Sequence, residues 1–149
     1  MRYSHTGQVV RDLARSEHFY AGALGFEKVF ELTVEGDQPA RLLRLPGEVR
    51  MRAVYLRRDG LVLELMEFAT PALVEPDRTP VMNEPGLTHI SLVVDDLDAA
   101  CAAVEAHGGR VLADTRLPTA VFVQDPDAQL VELLGPEARM PFVPDASGP

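Results

Sequence analysis

The chain has 149 residues, 46% of them apolar and 25% charged, which is typical of one folded domain and unlike a disordered protein. Its formal net charge of -9 argues against a nucleic-acid-binding surface and against docking on anionic lipid, because both need clustered basic residues. The single cysteine, Cys101, excludes an intrachain disulfide and favours a cytoplasmic location. No apolar stretch reaches the roughly 18 residues of a membrane span, and we expect no signal peptide.

An internal repeat is the strongest pattern in the sequence. Residues 4–13 align with residues 88–97, and five of the ten positions are identical. Residues 59–66 align in the same way with residues 127–134, sharing an aspartate, a glutamate and a leucine. Each copy predicts a strand, then a helix, then further strands, so the fold class is α+β.

The predicted elements follow the two copies in chain order. In the first copy we predict strands at 4–10, 26–34, 40–45, 50–56 and 61–67, with a helix after Asp12 that ends before Gly25. In the second copy we predict strands at 88–94, 110–114, 120–124 and 130–134, with a helix from Leu97 to His107. The organisation is a first module at 1–67, a proline-rich linker at 68–86, a second module at 87–135 and a tail at 136–149.

Two glutamates stand inside otherwise apolar strands. Glu64 lies within Leu61–Met66 and Glu132 lies within Leu130–Leu134, and the repeat makes the two positions equivalent. A buried unpaired carboxylate costs several kcal/mol, so each glutamate needs a partner or stays neutral. Salt bridges are one explanation, with candidate partners Arg41, Arg44, Arg50 and Arg52.

The histidines offer a shared explanation, because His5 and His89 are also equivalent in the repeat. Strand alternation sends Ile90 and Leu92 under the helix and turns His89 towards an interior cavity. Two imidazoles and two carboxylates suit Zn, Ni, Co, Mn or Fe, and do not suit a dedicated Ca or Mg cage. The predicted ligands of one divalent metal are His5, Glu64, His89 and Glu132.

Three motifs together resemble the vicinal oxygen chelate superfamily, the group of glyoxalase I, bleomycin resistance proteins and extradiol dioxygenases. They are His5-x-x-x-Val9-Val10-x-Asp12-Leu13, Gly86-Leu87-x-His89-Ile90 and Asp125-Pro126-Asp127 followed by Val131-Glu132-Leu133. The resemblance implies two βαβββ modules that form an incomplete barrel around one metal, held by the four residues named above. It also implies a homodimer, with the metal site formed either within one chain or by modules exchanged between two chains.

The function implied is that of a metal-dependent lyase, isomerase or epimerase acting on a small molecule with adjacent oxygens. Proton loss next to a metal-chelated carbonyl would give an enediolate, with Glu132 or Glu64 as the base. Arg41, Arg44 and Arg52 are candidates for holding an anionic substrate group. Two alternatives stay open: an Fe(II) extradiol ring-cleaving dioxygenase, and a protein that binds or sequesters small molecules.

Overall fold

The structure is a computed structural model that describes residues 1–75 and 81–138. Each repeat forms one four-stranded sheet. The first sheet and its helices comprise β1 (Thr6–Val9), α1 (Leu13–Gly22), β2 (Glu27–Gly36), α2 (Asp37–Leu43), β3 (Val49–Arg58) and β4 (Leu61–Thr70). The second comprises β5 (His89–Val93), α3 (Leu97–Ala106), β6 (Arg110–Val111), a 3-10 turn (Ala113–Thr115), β7 (Ala120–Gln124) and β8 (Leu130–Leu134).

The two sheets have the same topology, with strand orders β1-β4-β3-β2 and β5-β8-β7-β6. In each sheet the first strand runs parallel to the last, and the other pairs are antiparallel. The predicted α+β class is confirmed, and the described residues form no closed barrel. In the described part of the chain, no helix is long and apolar enough to cross a membrane.

The helices begin where the sequence predicts. The Asp12 side chain accepts a hydrogen bond from the backbone N–H of Arg15 at 2.9 Å, which caps α1. The equivalent Asp96 accepts from the N–H groups of Asp98 and Ala99 and caps α3. The same short acidic side chain therefore starts a helix at the same point of both repeats.

The predicted strand at 40–45 is wrong, because these residues belong mostly to helix α2. Pro39 is the third residue of α2, where its missing N–H is not needed for an intrahelical bond. The helix ends at Arg44, whose φ of 58° is in the left-handed region. Ala40 is buried against Val49 and Met51. The apolar segment at 40–45 is too short for its hydrophobic period to distinguish a helix from a strand.

Two other boundaries differ from the prediction. The strand predicted at 110–114 ends after Val111, and a 3-10 turn follows. Strand β4 extends to Thr70, so the first residues of the predicted linker are part of the first sheet. Residues 76–80 of the linker and 139–149 of the predicted tail lie outside the described residues.

One hydrophobic core joins the two sheets. Its buried members come from both sheets and from both long helices, and include Leu63 and Leu65 of β4, Val131 and Leu133 of β8, and Phe19 of α1. We call the face of each sheet that packs on this core its inner face, and the opposite face its outer face. Because side chains alternate along a strand, the residues between these leucines and valines point to the outer face.

A buried polar network ties the modules together. Oδ2 of Asp125, in the β7–β8 turn, accepts from Gln8 Nε2 at 2.7 Å and lies 3.0 Å from the Tyr20 hydroxyl. Oδ1 accepts from the backbone N–H groups of Asp127 and Gln129, both at 2.8 Å. Asp125 is only 3% exposed, and this burial raises the pKa of its carboxyl above the ordinary value despite the hydrogen bonds.

Replacing Asp125 by alanine should lower the free energy of unfolding by about 2–4 kcal/mol, because buried donors on both modules lose their acceptor. Chemical denaturation of the purified variant measures this. Asp114→Ala removes an exposed aspartate and should change stability by less than about 0.5 kcal/mol. Equal effects of the two substitutions on the free energy of unfolding would contradict a stabilising role for the Asp125 hydrogen bonds.

The raised pKa of the Asp125 carboxyl predicts that stability depends on pH, and Asp125→Asn is the variant for comparison. A raised pKa in the folded state stabilises the fold below the unfolded value near 3.8. That contribution is lost as the pH rises through the higher folded-state pKa. The stability of the wild type relative to Asp125→Asn should therefore fall between pH 3 and pH 7, and a constant difference would argue against the buried carboxyl.

Candidate metal centre

The structure brings the four predicted ligands together two by two. His5 lies just before β1, and its Nε2 is 3.2 Å from Oε2 of Glu64 in the neighbouring strand β4. His89 begins β5, and its Nε2 is 3.6 Å from Oε2 of Glu132 in the neighbouring strand β8. Each repeat thus presents one imidazole nitrogen and one carboxylate side by side.

The outer faces of the two sheets carry these pairs. Glu64 lies between Leu63 and Leu65, which pack in the core, so its side chain points to the outer face of the first sheet. Glu132 has the same relation to Val131 and Leu133 in the second sheet. The predicted orientation of the histidines, away from the helices, agrees with this arrangement because Ile90 and Leu92 pack against the core.

Both histidines are oriented by the hydroxyl of the preceding residue. Nδ1 of His5 is 2.9 Å from the Ser4 hydroxyl, and Nδ1 of His89 is 2.8 Å from the Thr88 hydroxyl. A hydroxyl either donates or accepts, so it accommodates either tautomer of the ring. This contact leaves Nε2 of each histidine directed at the glutamate, which is the arrangement that a metal-binding histidine needs.

An aromatic ring also packs edge-on against each histidine. The ring of Tyr55 contacts His5 with centroids 5.5 Å apart, and the ring of Phe122 contacts His89 with centroids 5.1 Å apart. These positions are equivalent, because Tyr55 pairs with Glu64 across β3 and β4, and Phe122 pairs with Glu132 across β7 and β8. The repeat therefore extends beyond the ligands to their surroundings.

The hydroxyl groups that bind the two glutamates differ. The Tyr55 hydroxyl donates to Oε1 of Glu64, the oxygen that does not face His5. The Ser91 hydroxyl donates to Oε2 of Glu132 at 2.5 Å, the oxygen that faces His89. Burial and the bond to Glu64 together raise the pKa of Tyr55 to about 12, so its hydroxyl remains a donor at neutral pH.

The two pairs do not meet in one chain. Among residues 1–75 and 81–138, no group of three or more His, Cys, Asp or Glu side chains is placed to hold a metal. The remaining two histidines, His18 and His107, contact each other with ring centroids 4.9 Å apart and take no part in either pair. One chain thus carries two separate His–Glu pairs, which we call the first and the second half-site.

The predicted arginine partners of the glutamates are not found there. Arg52 donates to Glu31 at 2.8 Å, and its position in β3 alternates with Tyr55, so it does not share the face of Glu64. Arg41 lies on α2 and Arg44 ends that helix, both with exposed side chains. The basic residue of β3 on the outer face is Arg57, two positions from Tyr55 and 3.8 Å from Glu27.

A cavity of about 360 Å³ lies beside the second half-site. Thr88, which orients His89, is in its wall, as is Leu130, which pairs with His89 in the sheet. Most of the other lining side chains are apolar, among them Val81, Met82, Pro85 and Leu87. The cavity offers room for a small organic molecule, although His89 and Glu132 are not themselves part of its wall.

Sequence reasoning missed several of these neighbours. Tyr55 and Phe122 could have been found from the hairpin turns, since the register of a short hairpin fixes which residues face Glu64 and Glu132. Ser91 lies in the parallel strand β5, where strand alternation puts it on the same face as His89. The same reasoning would have selected Arg57 in place of Arg52. The serine and threonine before the histidines carried a signal as well, because both repeats have a hydroxyl at that position.

Comparisons with known proteins identify the superfamily and agree with the fold. The sequence matches the Glyoxalase/Bleomycin resistance protein/Dioxygenase superfamily over residues 2–133, and the chain belongs to this superfamily. A lactoylglutathione lyase of Schizosaccharomyces pombe (strain 972 / ATCC 24843) is 26% identical over 148 residues, covering 94% of this chain and 49% of that protein. The chain thus spans about half the length of that relative.

Solved structures show the same fold. A glyoxalase family protein from Bacillus cereus superposes with a TM-score of 0.78 at 19% identity, covering 91% of this chain and 93% of that one. The fosfomycin resistance protein FosX of Listeria monocytogenes, in complex with Mn(II) and sulfate, superposes with a TM-score of 0.57 at 18% identity, covering 90% and 91% of the two chains. At these identities the likeness establishes the fold alone.

Proposed function

We propose that the protein is a metal-dependent lyase, isomerase or epimerase that removes a proton next to a carbonyl, in a centre built from two copies of the chain. The observation that carries this proposal is the repeated His–Glu pair, with each Nε2 directed at a carboxylate and each Nδ1 held by a hydroxyl. Structural ion pairs have no need to recur at equivalent positions with the same orienting contact.

The donor set fits a divalent transition metal. Two imidazole nitrogens and two carboxylate oxygens are ligands that Zn, Ni, Co, Mn and Fe accept. His5 and Glu64 would hold it from one sheet, and His89 and Glu132 from the other. When bound, the metal supplies a Lewis acid that polarises a substrate carbonyl and stabilises the negative charge left by proton loss. In the superfamily relative FosX, the bound metal is Mn(II).

A second copy of the chain explains why the half-sites lie apart. The core joins the inner faces, so within one chain both outer faces turn away from it. Val9 and Val93, which are equivalent in the repeat, stay 45% and 39% exposed on these outer faces, and Phe30 beside Tyr55 is 57% exposed. A homodimer in which each first half-site meets the partner's second half-site would cover this apolar surface and complete two centres.

In such a centre, different residues of the chain would orient the ligands, bind the substrate and transfer the proton. The Ser4 and Thr88 hydroxyls hold the two imidazoles, and the apolar cavity beside His89 takes the organic part of the substrate. Arg57 is our candidate for an anionic substrate group, replacing Arg52, because it shares the outer face with Glu64. A glutamate carboxylate takes the proton from the carbon next to the carbonyl and returns it to the product.

The purified protein should contain about one divalent transition metal per chain, measured by elemental analysis. His89→Ala should lose most of that metal, because it removes one of the two nitrogen ligands. His18→Ala is the matched control, since it deletes an exposed histidine outside the pairs and should retain the metal. Equal metal contents in both variants and the wild type would place the metal elsewhere.

Mixing two inactive variants tests whether the centre lies between copies. His5→Ala/Glu64→Ala keeps only the second half-site, and His89→Ala/Glu132→Ala keeps only the first. A mixed dimer would restore one complete centre from the intact halves of the two chains, so co-expression with two affinity tags should recover about one metal per mixed dimer. Each variant alone should bind no more than background.

The same mixture has an outcome that would contradict a centre shared between two copies. If all four ligands belonged to one chain, neither chain of the mixed dimer would have a complete set and no metal would return. Dimers purified with both tags from a single variant serve as the control for tag-bound metal. Metal in those controls at the level of the mixed dimer would also defeat the proposal.

Glu132→Gln should lower the exchange of the substrate's α-proton with deuterated water by about 10²- to 10⁴-fold, because the amide cannot accept the proton. Proton NMR on α-hydroxy ketones and thiohemiacetals in deuterated water measures this. Glu105→Gln, on the exposed side of α3, should exchange at the wild-type rate. Undiminished exchange in Glu132→Gln would eliminate this glutamate as the base.

Ring cleavage by an Fe(II) centre is the second candidate, since the superfamily includes dioxygenases. A site with two histidines and one carboxylate suffices for that chemistry. The presence of both Glu64 and Glu132 in hydrogen-bonded positions favours proton transfer instead. Oxygen uptake that depends on a catechol, in the iron-loaded protein, would reverse this preference.

A further inference from the structure

We propose that Tyr55 is a positioning residue that holds Glu64 with its Oε2 turned towards the metal, and that Ser91 does not do the same for Glu132. This inference rests on the proposed metal centre. The two half-sites differ in the source of the hydroxyl that binds each glutamate.

The two hydroxyls act on different oxygens. Tyr55 donates to Oε1 of Glu64 and leaves Oε2, which faces His5, available to a metal. Ser91 donates to Oε2 of Glu132, the same oxygen that faces His89. A hydrogen bond on the outer oxygen orients a carboxylate towards a metal and leaves both lone pairs of the inner oxygen free, whereas a bond on the inner oxygen leaves only one of them free.

The two carboxylates also differ in their exposure and in how many of their oxygens have a partner. The Glu64 side chain is 11% exposed, and both of its oxygens have a partner. The Glu132 side chain is 22% exposed, and no described residue donates a hydrogen bond to its Oε1. Both contacts of Glu132 thus fall on one oxygen, so the orientation of its carboxylate is less restrained than that of Glu64.

The difference is built into the sheet. Gly7 takes the position in β1 that Ser91 takes in β5, beside the respective glutamate. A Cβ at Gly7 would lie 3.0 Å from Met66 Cε, which is a tight contact, and 3.5 Å from Oε2 of Glu64, which is an ordinary one. Glycine itself offers the carboxylate no hydroxyl. The donor to Glu64 comes instead from the strand on the other side, through the longer side chain of Tyr55.

Removing each hydroxyl separately tests the division of roles. Tyr55→Phe should fold normally, because its ring contacts remain and phenylalanine already occupies the equivalent position 122. We expect its affinity for Co²⁺, measured by competition with a chelator, to fall about tenfold or more. The matched variant Ser91→Ala removes a competing donor and should bind Co²⁺ as tightly as the wild type or more tightly.

The visible absorption of bound Co²⁺ gives a second readout that a general loss of stability would not move. In Tyr55→Phe the band should shift towards that of Glu64→Gln, because the carboxylate is no longer held in place. In Ser91→Ala it should stay near the wild-type position. Far-UV circular dichroism and the mass of the assembly confirm that each variant is folded.

The possible failures are distinct. If the wild-type chain binds no Co²⁺, the proposed metal centre is wrong and this inference is lost with it. If the wild type binds Co²⁺ and Tyr55→Phe matches it in affinity and spectrum, the metal centre stands and the role of Tyr55 is wrong. An equal loss of affinity in Tyr55→Phe and Ser91→Ala would likewise overturn the division between the two carboxylates.

Discussion

Alternation along the strands is the constraint on which the rest of this molecule depends. The leucines and valines on either side of Glu64 and Glu132 are drawn into one core shared by both repeats. Each glutamate is thereby forced onto the opposite face, beside a histidine from the next strand. The burial that holds the two modules together also keeps their polar pairs out of the core, and so apart from each other within one chain.

This constraint connects the fold to the assembly. Two ligands are too few for a stable centre of the kind the residues suggest, and the described residues of one chain offer no third. In the proposed homodimer, a copy related by a two-fold axis would supply the complementary pair without any new sequence, since each chain carries one of each. The Asp125 network links the two modules that carry these pairs.

Much of the fold and of the candidate site could be predicted from the sequence because the two repeats can be compared with each other. A lone histidine or glutamate carries little information, but His5 with His89 and Glu64 with Glu132 fall at equivalent positions of the repeat. The structure places each histidine beside the glutamate of its own repeat. The failures came where the repeats diverge. Helix α2 is present only in the first repeat, and a segment of seven residues has too few turns to reveal its period.

The choice among the arginines depends on the register of the strands. Arg52 and Arg57 lie five residues apart in one strand, so they point to opposite faces, and only the register with β4 shows which one shares the face of Glu64. The separation of the half-sites was beyond sequence reasoning altogether, because it depends on which faces the two modules bury against each other.

A crystal structure of the Co²⁺-loaded protein, with anomalous diffraction measured at the cobalt absorption edge, would locate the metal. We expect one cobalt per chain, bound by His5 and Glu64 of one copy and by His89 and Glu132 of another. A cobalt bound by four residues of a single chain would contradict the shared centre. Cobalt bound away from these residues would contradict the metal site itself.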